Sequence, residues 1–396
     1  MRRVTAILFG LAALLLPVGV VLSHRNVPVV LVLIALCGLP ALRHFRPQPW
    51  VTAVFALIVW GIVTTLWSPY GNAASWVAYL VLLGLFGTAA MQAGEERAAK
   101  WLAIGTGASL LLLTIESLTG GILRDIIPPE GRPDKDDVAT ARGITVIICM
   151  APGLLLYLFQ SAALKNEYRL KIVLGLLIPL GICAASFDIS ANMMAFLAAL
   201  GAAGLVCLIP KWGLKLVLAA AILPFLLMPI LVAALPPIEE LSQLEAGPQT
   251  WRMRLIIWKA IWGGMSDGWA HFLFGHGIEG ARIYGETLGQ MSLGGQQFAI
   301  DLVPTHPHNV YLQIWFDLGF VGAVFASVAS IMAGRALLSA SLPVPVRAAS
   351  AALIASVAIF ALTDASLWTL WRVAGPLLGA WLILVASRSM RQGGAQ

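Results

Sequence analysis

Two of the chain's six histidines stand in one short motif, Thr305-His306-Pro307-His308-Asn309. Imidazole titrates near neutral pH, so either ring is a candidate general base for taking the proton of an attacking hydroxyl; His308 is the favoured one. The same residues also read as a plain helix start, with Pro307 ending a loop and Asn309 or Thr305 capping. The run that follows, HNVYLQIWFDLGFVG from His308 to Gly322, places Asp317 inside an apolar stretch. An acidic group there is costly and is a functional candidate. Gly319 and Gly322 in the same run permit close helix approach. Cations able to grip phosphate oxygens are Arg142, Arg252, Arg254, Lys259 and Arg282. Arg254 and Arg142 are favoured for catalysis, whereas Lys259 and Arg282 read more simply as solvated or headgroup-binding charges. Trp258, Asn309, His306, Arg252, Lys259 and Asp317 complete the candidate site as binding residues.

No metal is assigned. His306, His308, Asp301 and Asp317 lack paired ligand spacing, and Pro307 makes the two histidines awkward partners. Cys37, Cys149, Cys183 and Cys207 all lie in apolar runs without paired spacing, which excludes a disulfide framework. His276, in a glycine-bounded turn, reads as structural, and His24, His44 and His271 carry no specific signal. Asp188 and Asp364, each near the end of an apolar run, read either as buried partners for arginine or as loop residues.

The elements that must hold these groups follow from composition. Of 396 residues, 59% are hydrophobic and only 11% charged, and the mean hydropathy is +0.87. A soluble domain carries about 25% charged residues, so this is an integral membrane protein. Long unbroken apolar runs make it helical, because each spanning segment must satisfy its own backbone hydrogen bonds. Runs near membrane length fall at roughly 4 to 22, 27 to 42, 49 to 67, 73 to 93, 101 to 119, 143 to 161, 171 to 187, 189 to 209, 213 to 234, 309 to 333, 349 to 366 and 368 to 387, giving about twelve helices in one membrane domain over residues 1–396. The pair around Asp188 reads either as a tight hairpin or as one broken segment.

With the N-terminus inside, fifteen of the 25 Lys and Arg residues fall on one side, as cytoplasmic loops require. Both termini are then cytoplasmic, and the short outer loops hold only Arg25 and Arg372. Arg2 and Arg3 precede the first run as in a signal peptide, but no small-residue cleavage site follows Leu22, so the run reads as a retained helix. The net charge of +6 is dispersed over helix ends and forms no nucleic-acid patch. Two outer segments exceed the short loops, at 120 to 142 and 235 to 308, and long loops are where function concentrates. Within the second, Trp251, Leu255, Trp258, Trp262 and Met265 recur at helical spacing, predicting a helix in the membrane interface that also has the option of packing on the bundle. A substrate cleft is expected between this helix and the one beginning at Asn309, open sideways to lipid.

These motifs resemble the bacterial O-antigen ligase family, within the ligase and polymerase superfamily that uses undecaprenyl-diphosphate-linked glycans. The resemblance rests on His308 and Asn309 followed by Gly319 and Gly322, and on Arg254 and Trp258 leading to Leu273-Phe274-Gly275-His276-Gly277. It covers roughly residues 140 to 330. One departure is the Ser186 to Asn192 stretch, where relatives often carry an Arg after a Ser or Thr; Arg142 and Arg252 are candidates for that task.

The resemblance implies a GT-C-like, all-α polytopic fold with a large periplasmic loop bearing short interfacial helices. It also implies a cofactor- and metal-independent, inverting glycosyltransferase of the bacterial inner membrane with a periplasmic site. Its donor would be an undecaprenyl-diphosphate-linked glycan and its acceptor the lipid A-core oligosaccharide, among membrane lipids. His308 would be the base, with Arg254 and Arg142 on the diphosphate. A glycan polymerase of the same superfamily shares donor, arginines and base. A twelve-helix secondary transporter using Asp317 and Glu116 as coupling residues is the rival from another class.

Overall fold

The computed structural model describes residues 2–22, 24–38, 48–70, 76, 96–126, 136–160, 166–187, 190–244, 248–292, 299–364 and 366–393. It is helical almost throughout. In chain order the helices are α1 (Arg2–Val21), α2 (Val27–Gly38), α3 (Pro49–Thr64), α4 (Glu96–Thr119), α5 (Ile122–Ile126), α6 (Asp136–Gln160), α7 (Asn166–Ala185), α8 (Ser190–Leu208), α9 (Gly213–Ile222), α10 (Pro224–Ala233), α11 (Ile238–Gln243), α12 (Gln249–Met265), α13 (Trp269–Phe274), α14 (Gly280–Leu288), α15 (Val310–Ser339), α16 (Val344–Thr363) and α17 (Leu370–Gly393). A single turn of tighter helix, His24–Asn26, joins α1 to α2. Between α14 and α15 a three-residue hairpin, β1 (Gln290–Ser292) against β2 (Ala299–Asp301), is antiparallel with Gln290 opposite Asp301. Apart from this small hairpin the described elements are helices, in line with the all-α expectation.

Among the described residues seven helices are long and apolar enough to cross a membrane, and α9 with α10 makes an eighth if that pair is one span. With the family evidence given below, this makes a multi-pass membrane protein. Three shorter apolar helices occupy the places of the first three expected spans. At a rise of about 1.5 Å per residue, 16-residue α3 reaches only about 24 Å, short of a hydrocarbon core of about 30 Å. Apart from Trp76, the expected span at 73 to 93 lies outside the described residues, as do Asp188 and residues 127–135. The expected straight span from 213 to 234 is instead two helices bent by 47° at Pro224, because proline there lacks a donor N–H and its ring crowds the preceding turn. The stretch around Asp188 separates two complete helices, α7 and α8.

Two buried clusters sit side by side. The larger joins α1, α4, α6 and α17 through Leu16, Ile144, Ile147, Met150, Leu378 and Leu382. The second gathers α10, α12 and α15 through Met228, Ile257, Ile261, Leu312, Trp315 and Phe316. Leu170, Leu174 and Ile178, spaced four apart on α7, instead point outward. That stripe suits lipid tails rather than water.

Helix α15 contains a break on which neighbouring segments gather. Gly319 leaves helical geometry with φ 69 and ψ −171, and the interrupted ladder leaves main-chain carbonyls without their usual i+4 donors. Other segments supply those donors. His276 N donates to Phe316 O at 2.8 Å and Gly277 N to Asp317 O at 2.9 Å, while Trp60 Nε1 of α3 donates to Leu318 O at 2.9 Å. The Leu273 to Gly277 turn thus lies backbone to backbone on the break. A Cβ on Gly319 would stand 2.5 Å from Gly275 N, and one on Gly275 would stand 2.6 Å from Gly319 N.

Both glycines have φ between 69° and 76°, so strain and crowding act together. Gly319→Ala is expected to destabilise the protein by at least about 2 kcal/mol, seen as lost monodispersity and an earlier thermal midpoint in detergent. Gly204→Ala, where a Cβ meets nothing within 4 Å, is the control expected to match wild type.

Candidate functional site

The site begins at the start of α15. Asn309, with φ −156 and ψ 110, caps the helix by accepting from Leu312 N at 3.1 Å, and it is fully buried. One residue earlier the chain turns sharply: His308 has φ 52, a left-handed conformation that a non-glycine residue adopts only when its surroundings hold it there. Two contacts do so. His308 N donates to His306 Nδ1 at 3.2 Å, and buried Trp258 Nε1 of α12 donates to Pro307 O at 3.1 Å. The two imidazoles meet edge to face at 4.2 Å. Because His306 Nδ1 accepts a hydrogen bond, its proton in the neutral ring sits on Nε2. Burial first, then the nearby His308 and Arg372, hold the His306 pKa well below its ordinary value, so it is neutral at physiological pH.

His308 Nδ1 stands 3.4 Å from Asp364 Oδ1, longer than a well-formed hydrogen bond. Asp364 immediately follows α16 and is engaged on its other oxygen by Arg372 of α17, with NH1 at 2.8 Å from Oδ2; the same guanidinium also donates to the Asp364 main-chain carbonyl. Burial by itself would raise the Asp364 pKa, but Arg372 and His308 outweigh it and keep the carboxyl well below the usual carboxylate range. Arg254 completes the group: its Nε donates to Thr363 O at 2.6 Å, with its guanidinium 5.2 Å over Trp251. Burial lowers the Arg254 pKa and the Asp364 charge opposes that shift.

Beside this cluster opens a polar cleft of about 500 Å³, lined by Arg25, Arg142, Arg282, Arg372, His24 and His306 together with Trp368 and Trp371. Trp371 organises its wall, with the Arg372 guanidinium 4.8 Å and that of Arg142 5.8 Å from its ring. Arg142 is not at the end of a loop, as its place in 120 to 142 suggested, but inside α6. Asn192, at the start of α8, donates to Ala141 O at 2.9 Å and accepts from Thr145 Oγ1 at 2.9 Å. Arg142 therefore lies beside the start of α8, the stretch where the sequence departs from the family resemblance. Four guanidinia line one cleft, and among the described residues its lining carries one carboxylate, Glu279, 3.1 Å from Arg282; such a surplus of planar cationic forks suits a multiply charged anion.

The remaining sequence candidates lie outside the cleft lining. Arg252 donates to Leu244 O and Lys259 Nζ to Ala233 O at 3.0 Å, so both tether loop or helix-end carbonyls. Asp317 is fully buried, accepting from Trp368 Nε1 at 2.5 Å and Ala281 N at 3.2 Å, a bracket behind the site. Where a cleft between α12 and α15 was expected, Ile257, Trp258 and Ile261 of α12 instead pack in one core with Leu312 and Trp315 of α15. The Trp stripe is split accordingly, Trp258 and Met265 being buried by protein and Trp251, Leu255 and Trp262 only partly covered. His276 stacks on Phe316 at 4.1 Å and is structural. Among the described residues no three His, Cys, Asp or Glu side chains are grouped to hold a metal.

Sequence reasoning missed Arg25, Arg372 and His24 and left Asp364 open. A signal was present: Arg25 and Arg372 were the only basic residues in short outer loops, where the charge rule disfavours them.

With the geometry described, residues 174–327 match a family model described as O-antigen ligase. That match supports the O-antigen ligase family. No curated protein matches the chain. The matched segment contains Arg254, Trp258, both histidines of the motif and the α15 break, but Arg25, Arg142, Asp364 and Arg372 lie outside it.

Two outcomes follow. Asp364→Asn leaves the buried Arg372 side chain without its anion and is expected to lower stability by about 1–3 kcal/mol, measured by thermal unfolding in detergent. Acid should also weaken the fold. Unfolded histidine binds a proton below about pH 6.5, whereas folded His306 stays neutral well below that and folded His276 down to about 4. The unfolded state therefore holds more protons as pH falls from 6.5 towards 4, and stability drops in that window. His276→Phe, which keeps a ring in the stack, is expected to show a shallower decline between pH 7 and pH 5.

Proposed function

We propose that the protein is an O-antigen ligase of the bacterial inner membrane, transferring a preassembled glycan from undecaprenyl diphosphate to a hydroxyl of the lipid A-core oligosaccharide on the periplasmic face. The observation that carries this reading is the arginine-lined cleft with His306 in its wall, adjoining His308, which Asp364 faces at 3.4 Å. The diphosphate of the donor lies among Arg142, Arg372, Arg25 and Arg282. The acceptor hydroxyl meets His308.

In this mechanism Asp364 faces Nδ1 of His308, favouring the tautomer with a proton there and a free lone pair on Nε2. The 3.4 Å approach shortens as positive charge develops on the ring. Nε2 takes the acceptor proton, the acceptor oxygen bonds to the anomeric carbon from the face opposite the diphosphate, and the bond from that carbon to the phosphate oxygen breaks. The configuration inverts. Charge growing on the departing lipid diphosphate is met by guanidinia already in place, the arrangement that stabilises a transition state without reorganisation. Arg142 takes the task of the arginine that relatives carry near residue 189. Arg254, held on Thr363 O, stations the end of α16 and supports the field around Asp364. His306 Nε2–H is available to the diphosphate from the cleft wall.

The acidic groups on which a transporter would depend have fixed partners. Glu116 is buried against Arg124, 2.7 Å away, and Asp317 against Trp368, which favours bracing over proton or ion coupling.

The experiment is glycan transfer by purified protein in detergent, with undecaprenyl-diphosphate-linked glycan and lipid A-core, in EDTA. His308→Ala is expected to lose transfer by at least about 100-fold at wild-type protein yield. Transfer by His308→Ala at near the wild-type rate would sink the assignment. Glycan lengthened on the lipid diphosphate without lipid A-core would make the protein a polymerase instead.

A further inference from the structure

His24 was unremarkable in the sequence, yet it occupies the most exacting position in the cleft wall. It lines the cleft beside Arg25, Arg142 and Arg372. Its side chain is 5% exposed, and neither Nδ1 nor Nε2 finds a hydrogen-bond partner among the described residues. Its ring meets the Trp371 indole edge to face at 4.6 Å, the same indole that carries Arg142 and Arg372. A buried imidazole is ordinarily tied down through at least one nitrogen, since a buried unpaired polar group is destabilising. A ring oriented by an aromatic edge and left open at both nitrogens, in a wall of guanidinia, is shaped for a group that enters the cleft.

We infer that His24 is a binding residue for the diphosphate, its ring N–H donating to a phosphate oxygen that the surrounding arginines hold by charge. Burial first, then Arg142, Arg25 and Arg372, keep its pKa at about 3, so the empty cleft holds a neutral ring with one N–H to give. The four arginines attract any phosphate; a neutral, directional donor fixed on Trp371 adds a requirement on where the oxygens lie. It therefore selects a diphosphate ester over a single phosphate. The inference rests on the proposed reading of the cleft as the donor diphosphate site, and it assigns His24 to binding and orientation, with no proton transferred.

The test is equilibrium binding of undecaprenyl diphosphate, without glycan, to the full-length protein in detergent, with phosphatidylglycerol as the single-phosphate lipid and inorganic diphosphate as the free anion. Wild type is expected to prefer undecaprenyl diphosphate over phosphatidylglycerol. His24→Phe, which keeps a flat ring against Trp371, should weaken that binding about tenfold and leave phosphatidylglycerol binding unchanged. His24→Asn, which retains an N–H donor, should recover most of the loss, and His24→Leu replaces the Phe variant if the latter is not recovered folded.

Inorganic diphosphate should show the same dependence on His24 at lower affinity, since it lacks the tail. Wild-type affinity for undecaprenyl diphosphate in His24→Phe or His24→Leu would overturn this inference while leaving the cleft reading intact, provided Arg142→Ala binds weakly. Equal competition by phosphatidylglycerol would overturn the diphosphate preference. No binding by the folded wild type would overturn the reading of the cleft and this inference with it.

Discussion

One carboxylate, Asp364, ties one end of the molecule together. Its two oxygens face two different partners, Arg372 from α17 and His308 from the turn before α15, and the residue before it receives Arg254 from α12. Three segments, from α12, the turn before α15 and the start of α17, converge on the end of α16. In a partly buried setting, a guanidinium or a carboxylate without its counter-charge is strongly disfavoured, so the three cationic or titratable groups and their elements are held in mutual register. The charge that serves stability is the one that, in the proposed reaction, orients the base.

The strain on His308 belongs to the same design. A left-handed histidine is unfavourable by itself, and here it is overdetermined by the Trp258 hydrogen bond to Pro307 O, the His306 contact and the Asn309 cap. Behind it the break at Gly319 performs a second service. Carbonyls released within an apolar environment need donors, and those donors arrive on the Leu273 to Gly277 turn and on Trp60. The break thereby draws the Leu273 to Gly277 turn and α3 onto α15, and through Asp317 and Trp368 it reaches the segment leading to α17. The two motif stretches that carry the family resemblance, separated by some forty residues in the chain, are thus two sides of one backbone junction.

Much of this was legible from residue types. The apolar runs located the long helices from α4 onward, because a helix in lipid must be apolar over its length and the sequence records that directly. The His306-Pro307-His308-Asn309 motif was recognisable because proline and asparagine have local conformational meanings. The bend at Pro224 was equally local and was passed over because hydropathy averaging is blind to it. Arg142 and Arg254 were identified through the need for cations. Arg372, Asp364 and His24 were not, because their roles depend on which helix ends meet, and Asp364 reads the same in a loop as in a buried ion pair.

What the sequence by itself determined was the solvent of the fold, the length and kind of its helices, and the small set of residues able to move a proton or hold a phosphate. Those are properties of side chains and of their local spacing. Which of those residues face one another was decided by tertiary structure alone. Arg252 was a candidate for the missing arginine's task and Lys259 read as a solvated or headgroup-binding charge, yet packing of α12 on α15 turned both to carbonyls at Leu244 and Ala233, and the cleft is lined by Arg25, Arg142, Arg282 and Arg372. Charge acts through space over a few ångströms, and the chain brings residues 25, 142, 282 and 372 within that range only by folding.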